Sequence, residues 1–269
     1  GDRMLTDEGP EPQESVPRDA DAAHRMSSGL GRAVAAGAAG ETISARGILD
    51  AIGGVRGVLE SLIPASVFLV GYVFTQDARV AVIAPLALSV LAVVARVWVR
   101  EPLSAALSGF VGVLVCAAAT LFTGRGEDFF LPGFWINGAW IVAHTVSLLV
   151  GWPLIGLLLG FLRGSLTEWR RDSMLRRAAS FCTLLWIAVF AARLAVQLPL
   201  YAAASAGDAG AVEALGVARL VMGVPLFALA VLFTWLVLSR VSSVVDGLAE
   251  AASEARSGDA PGSGGSSDE

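Results

Sequence analysis

Between Leu59 and Leu238 the chain runs through six apolar stretches, each long enough or nearly long enough to cross a bilayer, and two of them contain an arginine. A hydrocarbon core about 30 Å thick needs roughly 20 residues of apolar helix. Inside it only helices and closed barrels satisfy their own backbone polar groups. Stretches of this length therefore predict an all-α fold, a polytopic bundle with spans near 59–75, 80–97, 103–122, 131–150, 178–200 and 216–238. A seventh apolar segment, 153–162, is caught between the Gly151-Trp152-Pro153 break and Arg163. It is too short to cross and reads as re-entrant or interfacial. An arginine at membrane depth costs about 2.5–3.5 kcal/mol on insertion scales, so Arg193 and Arg219 need partners or a function.

The two ends have another character. Residues 1–45 carry eight acids and four arginines, residues 240–269 six acids and two, and the segment between them is left at +3 of an overall −5. Both ends are rich in Gly, Ala and Ser and lack an apolar face, which predicts disordered acidic tails around one transmembrane domain, 46–239. No basic start followed by an apolar run stands in 1–45, so the first span is expected to act as its own signal.

Arginine placement sets the orientation. With the N-terminus inside, one side holds Arg46, Arg56, Arg96, Arg100, Arg163, Arg170, Arg171, Arg176, Arg177 and Arg240, and the other only Arg79 and Arg125. The positive-inside rule then places both termini in the cytoplasm of a bacterial inner membrane. The basic residues are all arginine, and the excess of Ala, Gly and Val points to a GC-rich bacterial genome.

In this topology Arg193 and Arg219 lie one to two turns below the outer edge, with Gln197 one turn from Arg193 on the same face. Glu127, Asp128, Asp208 and Glu213 stand in loops on the same side. Two guanidiniums facing four carboxylates form either a salt-bridge network that locks the bundle or a polar pocket for an anion. Asn137 and His144, seven residues apart, share a helix face, where a histidine serves as a hydrogen-bonding residue or a proton carrier. On the cytoplasmic side Trp169, Arg170, Arg171, Arg176 and Arg177 predict a basic loop for anionic lipid headgroups or a protein partner. Ser104, Ser108, Gly109 and Gly112 are small enough for close helix packing, and a homodimer is open to such a bundle.

No Ser/His/Asp set, phosphate-binding Gly-Lys-Ser/Thr loop, His-Glu-x-x-His or metal-spaced cysteine pair occurs. An enzyme, a cofactor and a metal are not expected, and one short basic cluster is too small a footprint for nucleic acid. Cys116 and Cys182 sit in separate apolar stretches as packing residues. Short copies recur: Ala95-Arg96, Ala192-Arg193 and Ala218-Arg219 each stand seven residues before a Pro-Leu pair, as duplicated hairpins or as helix-end punctuation.

Several motifs together carry a family likeness. These are Gly53-Gly54-Val55-Arg56-Gly57 with Glu60-Ser61, the run Glu127-Asp128-Phe129-Phe130-Leu131-Pro132-Gly133 with Asn137, and Trp169-Arg170 with Asp172. Arg193 with Val196-Gln197-Leu198-Pro199-Leu200-Tyr201, and Leu215-Gly216 with Arg219, complete the set. Over about residues 48–240 the chain resembles an actinobacterial family of polytopic membrane proteins classed as a domain of unknown function. More distantly, its hairpins are similar to the bacterial intracellular septation protein A family, inner-membrane proteins linked to envelope synthesis and division. The resemblance implies an envelope-associated membrane protein and no particular reaction. Two functions follow as expectations: an envelope or septation-associated protein with an envelope-protein partner, or a small-solute or ion transporter with an outward-facing Arg-lined pocket.

Overall fold

The computed structural model describes residues 54–258, and it is helical throughout, with no strand among the described residues. In chain order the elements are α1 (Gly54–Thr75), α2 (Ala78–Ala81), α3 (Ile83–Val99), α4 (Ser104–Thr123), a 3₁₀ turn (Gly126–Phe130) and α5 (Leu131–Leu149). They continue with α6 (Leu154–Arg163), a second 3₁₀ turn (Glu168–Arg171), α7 (Ser173–Ser205), α8 (Ala211–Val221) and α9 (Val224–Gly258). Five runs, 78–99, 106–123, 126–149, 173–205 and 211–258, are long and apolar enough to cross a membrane, and the apolar part of α1, Leu59–Thr75, falls just short. The six expected spans are thus approximately those observed. Phe74, Trp98 and Phe122 turn more than four-fifths of their surface outward, a costly display in water and an ordinary one in lipid.

Local chemistry sets the element ends. Asp77 accepts from the backbone N–H groups of Arg79 and Val80 at 3.0 and 3.3 Å, starting α2. Asp172 does the same for α7 through Met174 and Leu175 at 2.8 and 3.3 Å. This cap puts Arg176 and Arg177 on the first turns of a helix, not in the basic loop expected for them. α6 has ten residues and does not cross; its buried face, Ile155, Gly156, Leu159 and Gly160, meets the rest of the bundle.

The last span is broken. α8 stops at Val221 and α9 starts at Val224, so Met222 and Gly223 interrupt what reads as one stretch. Pro225 explains the break, because it has no N–H to give and its ring would strike the carbonyl four residues back. Past its apolar stretch α9 continues to Gly258, so 240–258, expected to be disordered, is helical. Its Ala, Glu and Arg content favours helix once a span has nucleated it, which removes the cost of a first turn. The remaining tail residues, 1–53 and 259–269, lie outside the described residues.

Two ends of the bundle are distinguished by contacts. At one, the α1–α2, α4–α5 and α7–α8 connections meet, where Arg79 Nε donates to the Leu121 carbonyl at 3.2 Å and Gln76 Nε2 to Glu213 at 3.2 Å. Phe68, Phe129, Phe130, Phe134 and Leu215 form the core there, with Phe68 and Phe129 stacked 4.0 Å apart. At the other end Arg96 pairs with Glu60 at 2.7 Å and Arg163 with Asp246 at 3.4 Å. Leu159, Trp169, Leu175 and Ala179 form the second core. Gly109 and Gly112 face open space among the described residues, so the close helix packing expected of these two glycines is not formed there.

A buried cationic site beside a broken span

Arg193 and Gln197 stand one turn apart on α7, and both point inward: Arg193 is 6% exposed and Gln197 0%. The Arg193 guanidinium lies 4.6 Å from the centre of the Phe227 ring, just past the break in the last span. Among the described residues its Nε has no acceptor, and neither amide atom of Gln197 has a hydrogen-bond partner. Arg219 is on α8, just before the same break. Its Nη1 donates to the Phe130 carbonyl at 3.2 Å, and its guanidinium lies 5.8 Å from the Phe130 ring. A Cβ at Gly133 would overlap the Arg219 guanidinium, so a larger residue there would have to displace that side chain from its place. The two arginines thus flank the same break, Arg219 before it on α8 and Arg193 against Phe227 just after it. Among the described residues neither forms an ion pair.

The acids expected to meet them are engaged elsewhere. Asp128 and Glu127 are buried in the first 3₁₀ turn. Arg125 reaches Asp128 Oδ2 at 3.0 Å, and Tyr201 donates to Asp128 Oδ1 at 2.6 Å. Ser205 donates to Glu127 at 3.3 Å. The Asp128 charge, reinforced by its hydrogen bond, pushes the Arg125 guanidinium above its ordinary value. Asp208 closes a local turn by accepting from Gly210 N–H at 3.0 Å, and Glu213 takes Gln76. The predicted network of two arginines and four carboxylates is therefore not formed. Arg125 wins because it is two and three residues from the acids and half exposed, so it pairs without leaving water.

Around the arginines the surroundings are aromatic. Phe190 lies 5.6 Å from Phe227 and 5.7 Å from His144. His144 Nδ1 sits 2.7 Å from the Trp140 carbonyl, a bond within its own helix, which makes it a hydrogen-bonded packing residue. Asn137 is buried on α5, one turn from Gly133. Phe227, Gly133 and Phe130 were not separable from core residues by spacing alone; the Pro132-Gly133 step was the one signal of a close approach.

At the opposite end Trp169, expected to face lipid or a partner, is 2% exposed. It fills the space over Gly156 and Gly160, where a Cβ would overlap its ring, and its Nε1 donates to the Leu166 carbonyl at 2.8 Å. A large ring against two glycines gains more contact inside than at a headgroup surface. Arg170 stacks on Trp152 at 3.9 Å and donates to the Gly151 carbonyl at 3.1 Å. Arg171, Arg176 and Arg177 stay exposed.

Apolar spans, an outward-facing aromatic surface and a guanidinium buried within the bundle at Arg193 define a multi-pass helical membrane protein with a cationic group in its interior. Residues 52–245 match the family described as protein of unknown function, DUF3159. The match covers well over half of the chain, which belongs to that family. No characterised protein and no solved structure matches it.

Proposed function

We propose that this is a non-enzymatic protein of the bacterial cytoplasmic membrane, with both termini in the cytoplasm, that binds a small anion at Arg193, Gln197 and Arg219 and carries it across. The carrying observation is the Arg193–Gln197 face within the bundle, unpartnered among the described residues and set at the break that Arg219 precedes. An unpaired buried polar group costs about 1–3 kcal/mol, and such groups need an explanation beyond packing. Guanidiniums present rigid forks of donors that match carboxylate and oxyanion geometry. The broken last span supports the same reading, because ligand sites in transporters are commonly built where a membrane helix is interrupted. The arginine bias between the two ends of the bundle supports the orientation.

Reconstituted vesicles loaded with sulfate, phosphate or a small carboxylate test this. Flux of at least one anion down its gradient, lost in Arg193→Gln, is expected; flux of none, or equal flux in the variant, overturns it. The envelope-assembly reading, with its septation-type likeness, keeps the exposed basic edge as its support. In-cell crosslinking from Arg171 that captures an envelope protein would favour it.

A further inference from the structure

We propose that the recess between the α5–α6 break and the first turns of α7 holds the phosphate of an anionic phospholipid. The recess has a volume of about 260 Å³ and is lined by Leu148, Gly151, Pro153, Arg176, Arg177 and Ser180. It exists because α5 ends sharply: Gly151 takes a positive φ of 79° and Trp152 N–H bonds back to the Ser147 carbonyl at 2.9 Å. Pro153 then starts α6 without an N–H of its own.

The arginines of this end divide by what they touch. Arg96 is paired with Glu60, Arg163 with Asp246, and Arg170 is spent on Trp152 and Gly151. Arg176 and Arg177 have no ion pair among the described residues and are exposed. They sit near the N-terminus of α7, where the helix dipole gives a cation no help. Ser180 is four residues past Arg176 and three past Arg177, on the same face. Two guanidiniums and a hydroxyl thus converge on one recess at the end of the spans. Beside it Leu149 and Val150 are 82% and 66% exposed, an apolar track for acyl chains. The combination of phosphate donors and an adjoining apolar track fits a lipid better than a free anion. This site is separate from the buried arginines and does not rest on their function.

The test uses the full chain, delipidated in a neutral detergent, with phosphatidylglycerol, phosphatidylcholine or inorganic phosphate added, read by thermal unfolding and by native mass spectrometry. Phosphatidylglycerol alone is expected to stabilise and to be retained. Arg176→Gln with Arg177→Gln should bind it about thirtyfold more weakly, each arginine at a headgroup being worth about fivefold, while Arg171→Gln retains it. Ser180→Leu, which fills the recess and keeps both arginines, should also lose it and serves if the double variant does not fold. Equal retention in these variants, equal loss in Arg171→Gln, or an equal shift from phosphate alone overturns the assignment.

Discussion

Arg193 of α7 and Phe227 of α9 meet as cation and ring, 4.6 Å apart, across the break in the last span. A desolvated pair of this kind is worth about 2 kcal/mol, less than the 2.5–3.5 kcal/mol that insertion scales assign to a central arginine. The ring therefore offsets part of the burial and leaves Nε without a partner. A double-mutant cycle of Phe227→Leu with Arg193→Met should show a coupling of about 1–2 kcal/mol in thermal unfolding.

Gln197 is the sharpest discriminator between a structural and a ligand role. Its amide is fully buried and unpartnered, so Gln197→Leu should stabilise the ligand-free protein by about 1–3 kcal/mol. If Gln197 were structural, the same change would lower the unfolding temperature.

Tyr201 holds Asp128 of the first 3₁₀ turn at 2.6 Å. Tyr201→Phe should cost about 1.5–3 kcal/mol, the range for hydrogen bonds to charged groups. With Asp128→Asn already in place, which also breaks the Arg125 pair, the added cost of Tyr201→Phe in an unfolding assay should be smaller, because the acceptor no longer carries a charge.

A Cβ at Gly160 would stand 2.8 Å from the Ser165 carbonyl oxygen, with the Trp169 ring at the same point. Gly160→Ala should destabilise by about 1–3 kcal/mol through overpacking. Trp169→Leu should not rescue it, since the backbone carbonyl remains in the way; for Gly156→Ala, whose three nearest neighbours are all atoms of the ring, partial rescue is expected.

The orientation is open to labelling. Asp208→Cys should react with an impermeant maleimide on intact cells, and Thr167→Cys only after permeabilisation. Native Cys182, fully buried, should react in neither case. The reverse pattern would invert the topology.

Much of the architecture was legible because the bilayer imposes one length scale on every span, and the arginines inside two spans stood out by their cost alone. Pairing was not legible. Three Ala-Arg copies with a following Pro-Leu came to different uses: Arg96 on Glu60, Arg193 on Phe227 and Arg219 on the Phe130 carbonyl. Their prolines likewise precede α4, lie within α7 and open α9. Which acid meets which arginine depended on Arg125 being the near neighbour of Glu127 and Asp128, a local effect that spacing between spans does not carry. The helix at 240–258 is not legible in its own composition, because the nucleus that makes it form lies in the span before it.

The anion site is tested most directly by thermal unfolding of the purified protein across a series of small anions, with Arg193→Gln and Gln197→Leu alongside. Saturation to about 100-fold over Kd should stabilise the native protein by about 2.7 kcal/mol, with the shift lost in both variants and kept in Tyr201→Phe. Folded variants that respond to every anion as the native protein does would contradict the site.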